Sequence, residues 1–79
     1  MSQKKVVVYS QPGWPPCSWA ENYLSEKGIE FELKDIGSDD QAVYELINLY
    51  RSRSTPTIIV GDKVMIGFDP EKLDQMLAE

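Results

Sequence analysis

The chain has 79 residues, 42% hydrophobic and 27% charged, with a formal net charge of −5, no histidine and one cysteine. Those values describe one small folded domain, residues 1–79, and they argue against nucleic acid or an anionic membrane surface as partner, since both need clustered Lys and Arg. Histidine-based metal sites and histidine general bases are excluded outright, and a lone cysteine makes no internal disulfide, so a cytoplasmic setting is expected.

Taken in order, Met1-Ser2-Gln3-Lys4-Lys5 runs into only three valines. That is too short for a secretory signal, and no apolar run approaches the ~20 residues needed to cross a bilayer. Lys5 to Ser10 is predicted to be a strand buried on both faces, because its β-branched run does not alternate. Gln11 to Gly13 is a turn. Pro15 and Pro16 suit the first helical positions, where a missing N–H is no loss. A helix is expected from Pro16 to Lys27, with Ala20, Tyr23, Leu24 and the Lys27 stem on one side, and Gly28 stopping it. Trp19 and Tyr23 are expected to pack. Ile29, Phe31 and Leu33 alternate with Glu30, Glu32 and Lys34, which predicts a second strand with one wetter face.

Residues 37–40 form a loop ending in N-cap chemistry. Val43, Leu46, Ile47 and Tyr50 then make an i, i+3, i+4, i+7 stripe, the strongest helix signal in the chain. Residues 51–54 break it and place positive charge near that helix's C-terminal end. Thr57 to Val60 is a third strand, Gly61-Asp62-Lys63 a hairpin turn, and Val64 to Ile66 the returning strand. Asp69 and Pro70 fit N-cap and N1 of a last helix whose apolar side is Leu73, Met76 and Leu77. The order is β-α-β-α-β-β-α, an α/β fold with a mixed four-stranded sheet covered by three helices.

The lone thiol, Cys17, sits near the start of the first helix, directly after Pro15-Pro16. Unpaired N–H groups and the helix dipole favour reactive cysteines there. A buried, inert cysteine is the plainer alternative. Pro56 similarly reads as a strand start, and Asp69 is sufficiently explained as a cap.

This order, with Val7-Val8-Tyr9-Ser10 before Pro15-Pro16-Cys17, resembles the glutaredoxin branch of the thioredoxin-fold oxidoreductases. Three further stretches carry the likeness: residues 23–31, Ser54-Thr55-Pro56, and Gly67-Phe68-Asp69-Pro70. The last is similar to the turn of redoxins that donate electrons to ribonucleotide reductase. The resemblance implies a cis bond at Thr55-Pro56, and an extended peptide or glutathione lying along Thr55, Pro56, Gly67, Phe68 and Asp69. It also implies Arg53 as a contact for a glycine carboxylate. It implies no metal, with glutathione as co-substrate and a protein disulfide or glutathione as partner. Electrons would come from glutathione or thioredoxin reductase, and the chain is expected to be a monomer. Gln11 stands where many glutaredoxins have lysine, and the 67–70 turn leans toward thioredoxin reductase.

The chain departs from the family's C-x-x-C at its first position, the nucleophile position, which here is Trp14. Cys17 matches the second, resolving cysteine, expected to be covered and slow to alkylate. An indole is neither nucleophile nor redox ligand, so this form is expected to be inactive or impaired, and whether it is an enzyme is left open. The same lack argues against an iron–sulfur carrier. Because UGA, which encodes selenocysteine, is one base from UGG, residue 14 reads as a replaced selenocysteine, a natural tryptophan or an engineered one. A non-catalytic binding module is the alternative from another class.

Overall fold

The computed structural model describes residues 5–78. Within them lie β1 (Val6–Ser10), α1 (Pro15–Glu26), β2 (Glu32–Asp35), α2 (Asp40–Asn48), β3 (Thr57–Val60), β4 (Lys63–Ile66) and α3 (Pro70–Ala78). The strands form one sheet in the order β2-β1-β3-β4. β1 is parallel to β2, pairing Val8 with Leu33, and antiparallel to β3, pairing Val8 with Ile58. β3 and β4 are antiparallel.

This places β1 between two partners, and all five of its residues are buried, as its unbroken apolar run predicts. Its alternate side chains feed two cores. Val6 and Val8 join Ala20 and Leu24 of α1 and Leu73 and Met76 of α3. Val7 and Tyr9 join Ala42 and Leu46 of α2. Thus α1 and α3 cover one face and α2 the other. Among the described residues no helix is long and apolar enough to cross a membrane.

Several expectations are corrected. β2 is shorter than the 29–34 alternation suggests: Ile29 and Phe31 pack on the first core while approaching the sheet, and only residues 32–35 pair. Leu33, at the sheet edge, stays half exposed. On α2 the buried pair is Ala42 and Leu46, while Ile47 is 39% exposed. The stripe is rotated because the small Ala42 lets the helix backbone approach the sheet, whereas Val43 and Ile47 turn away from it. Tyr50 lies beyond the helix but still packs, 5.6 Å from the Tyr9 ring. Trp19 is 58% exposed and does not join the core. The β3–β4 turn has only two residues, since Val60 already pairs with Lys63.

Candidate active site

The loop after β1 is shaped by Gly13, whose φ of +81° is a left-handed conformation that residues with a Cβ rarely adopt. It delivers the chain to Trp14, the N-cap of α1, in an extended conformation. Trp14 caps with its backbone alone. Its carbonyl accepts from the N–H of Cys17 at 3.0 Å and of Ser18 at 3.4 Å, and its N–H donates to the Gln11 carbonyl at 3.2 Å. Pro15 and Pro16, which have no N–H to satisfy, occupy the next positions.

The two positions of the x-P-P-C stretch therefore differ sharply. The Trp14 side chain is 50% exposed, whereas Cys17 is 1% exposed and among the fully buried side chains. The Gln11 N–H points at the Cys17 sulfur, 3.4 Å away. A cleft of about 180 Å³ opens beside this cysteine, lined in part by Ser10, Ser18, Glu21, Leu33 and Asp35. Ser10 and Glu21 are not among the site residues expected from sequence. The available signal is spacing, since residue 21 is one helical turn beyond residue 17.

A second group of expected residues is joined by contacts of its own. The Thr55–Pro56 bond is cis. The Pro56 carbonyl accepts from the Gly67 N–H at 2.8 Å, which ties the third-strand approach to the end of β4. Gly67 has a φ of +90°, turning the chain toward α3. Phe68 meets the Tyr23 ring of α1 edge-on at 5.5 Å. Asp69 accepts from the N–H groups of Glu71 and Lys72, so its carboxylate caps α3. Arg53 is exposed and has no ion pair among the described residues, and none of these contacts includes it.

Behind this last loop lies a closed ring of hydrogen bonds. The Ser54 N–H donates to Ser52 Oγ at 3.2 Å, Ser52 and Thr57 hydroxyls are 2.8 Å apart, and Thr57 Oγ1 donates to the Ser54 carbonyl at 2.7 Å. Ser52 and Thr57 are both buried.

The strongest electrostatic perturbations lie on the other face of the sheet. Tyr9 donates to Glu45 Oε1 at 2.8 Å, and Lys34 Nζ reaches the same oxygen at 3.0 Å. Burial, then the Glu45 carboxylate, pushes the Tyr9 phenol well above its ordinary value. Lys34, then Tyr9, holds Glu45 below the usual carboxylate range. Every charge in this recess has a partner, so it reads as a structural network. No group of three or more His, Cys, Asp or Glu side chains able to hold a metal occurs among the described residues.

Known proteins share this fold. The crystal structure of the thioredoxin-like protein BC3987 is 38% identical and superposes with a TM-score of 0.89, covering 92% of this chain and 100% of that one. The NrdH-redoxin from Escherichia coli, a glutaredoxin-like protein, shares the fold at 21% identity and a TM-score of 0.79, covering 90% of this chain and 92% of that one. An uncharacterized glutaredoxin-like 8.6 kDa protein of the Clostridium pasteurianum rubredoxin operon is 25% identical over 72 residues, 91% of this chain and 96% of that protein. The family model described as Glutaredoxin matches residues 6–65, from the first buried strand through the returning one. A sheet that buries its central strand, a helix start that separates an exposed position from a covered thiol, and that match together make the chain a member of the glutaredoxin family, a thiol-redox branch of the thioredoxin fold.

Proposed function

We propose that this chain is the body of a glutaredoxin-type thiol–disulfide oxidoreductase, with residue 14 as the attacking position and Cys17 as the resolving thiol. The observation that carries the reading is the division between the two: residue 14 holds its side chain in solvent at the helix N-cap, and the Cys17 sulfur lies buried within the same first turn. A thiolate or selenolate at residue 14 would attack a substrate disulfide and form a mixed disulfide. Cys17 would then attack the residue 14 sulfur or selenium and release the second substrate thiol. The indole of Trp14 cannot perform the first step, so the form with tryptophan is inactive or impaired. The parent carries selenocysteine or cysteine there.

Thr55, Pro56, Gly67, Phe68 and Asp69 form the substrate edge in this reading, and Arg53 meets a carboxylate of glutathione or peptide. The reductant is glutathione or thioredoxin reductase.

The test is Trp14→Cys, and selenocysteine at the same position, assayed for turnover of a small disulfide with each reductant. Activity in the restored proteins and none with Trp14 is expected. A folded Trp14→Cys protein that turns over with neither reductant would instead indicate a non-catalytic binding module. A UGG codon at position 14 of the source gene would end the selenocysteine part.

A further inference from the structure

A buried thiol can attack only after losing its proton, and the cleft beside Cys17 contains two carboxylates, Asp35 and Glu21. Asp35 is committed elsewhere. Its Oδ1 accepts from the Gly37 N–H at 2.7 Å and its Oδ2 from the Ser38 hydroxyl at 3.2 Å, so both oxygens serve the turn after β2. Glu21 is different. Its Oε2 accepts from the hydroxyl of Ser10, itself buried, at 2.8 Å, and among the described residues its Oε1 has no hydrogen-bond partner. Residues four apart on a helix stand on the same face, one turn apart. Cys17 and Glu21 are so spaced on α1, and both line the cleft.

We propose that Glu21 is the proton acceptor for the Cys17 thiol, with Ser10 as the positioning residue that holds one carboxylate oxygen and leaves the other facing the cleft. The proposal rests on the reading of Cys17 as the resolving thiol. With a small disulfide as oxidant, the proton leaves Sγ for Glu21 through the solvent of the cleft. The sulfur attacks one sulfur of the reagent, a Cys17–reagent disulfide forms, and the other half departs as thiolate and is protonated by solvent. Cys17 is oxidised and the reagent reduced, with atoms and charge conserved. In a protein with a chalcogen nucleophile at residue 14, the same proton transfer precedes attack on the mixed disulfide.

The experiment uses the chain as it stands, with 4,4′-dithiodipyridine as probe and thiopyridone absorbance as readout. Glu21→Gln should lower the second-order rate constant by about a hundredfold, the low side of what a positioned base supplies. It should also change the ratio of the rates in water and in deuterium oxide. Glu21→Asp should recover part of the rate, Ser10→Ala should fall between wild type and Glu21→Gln, and all variants should react alike when unfolded in urea. A Glu21→Gln rate equal to or above wild type overturns the proposal. Faster reaction is what removing a negative charge beside a forming thiolate would give by itself. The readout does not involve residue 14. An inactive Trp14→Cys protein would therefore refute the oxidoreductase reading while leaving this result standing, and the reverse also holds.

Discussion

Substituting Ser52 by alanine opens the ring that shapes the 52–57 loop, and the structure allows its effect to be sized. The proton positions follow from the partners. Thr57 gives its proton to the Ser54 carbonyl, so the short Ser52–Thr57 contact is Ser52 donating, and Ser52 in turn accepts from the Ser54 N–H. Ser52→Ala removes two of these bonds and leaves the Ser54 N–H without its acceptor. At about 1 kcal/mol per net hydrogen bond, with part of a desolvation penalty for the orphaned donor, the expected loss is about 2 kcal/mol. For a domain of this size that lowers the Tm by about 8–16 °C. Thr57→Val should cost less, about 1 kcal/mol, because Ser52 Oγ already lies 3.3 Å from the Ser54 carbonyl and can donate to it instead. The Ser52–Thr57 bond is lost in both single variants, but the double variant also loses the replacement bond from Ser52 to the Ser54 carbonyl, so it should cost about the sum of the two, about 3 kcal/mol. Urea denaturation of the four proteins measures all three quantities. A Ser52→Ala protein within about 0.5 kcal/mol of wild type would refute the view that this ring holds the loop.

The acid side of the stability curve should carry the signature of Glu45. Its folded value lies below its unfolded one, because of Lys34 first, so the stability it lends is present above about pH 4–5 and is lost as pH falls through the folded value. Glu45→Gln should flatten that part of a urea-midpoint profile. The Tyr9 phenol has the opposite sense, raised by burial and then by Glu45, so its contribution is complete below about pH 10 and fades above it, and Tyr9→Phe should flatten the alkaline limb. Arg51 has a φ of +56°, and the next residue's N–H closes on the Leu46 carbonyl at 3.0 Å, a helix-ending geometry that favours glycine. Arg51→Gly should therefore raise stability by up to about 1 kcal/mol once glycine's extra unfolded-state entropy is offset, and a lower Tm would contradict this. Trp14→Ala and Trp19→Ala should each shift stability by no more than about 0.5 kcal/mol, since both rings are half exposed, and acrylamide should quench both tryptophans readily.

What the sequence disclosed and what it hid have separate physical causes. β1, the start of α1, the Asp69 cap and the succession of elements are legible because each rests on local chemistry: an unbroken valine run, prolines at N1 and N2, a short carboxylate before a helix. The errors arise where packing decides between equally good local patterns. Residues 29–34 alternate well enough for a strand, but pairing with β1 reaches only residues 32–35, and Ile29 and Phe31 bury themselves on the way in. The bulky stripe on α2 outweighs Ala42 on hydropathy, yet a small side chain is what brings that helix onto the sheet. Trp19 is large and apolar, which by itself favours the core, and only the placement of α1 shows which side of the helix it occupies. Glu21 is marked only by its spacing from Cys17, and the Ser52–Thr57 ring has no signature at all. Serines and a glutamate are common surface residues, and their importance appears only when the fold buries Ser10, Ser52 and Thr57.

On the proposed reading, one backbone accepts cysteine, selenocysteine or tryptophan at residue 14. The residue's N–H and C=O hold the Gln11 turn and the first turn of α1, and its side chain is half exposed. No side-chain capping bond is made from this position. Cys17 is constrained in the opposite way: its sulfur fills space between α1 and the loop and receives the Gln11 N–H. Substitution there must satisfy a buried site, whereas residue 14 has a half-exposed side chain. A tryptophan at residue 14 is therefore compatible with the family fold, and Cys17 is the one of the two positions that the structure encloses.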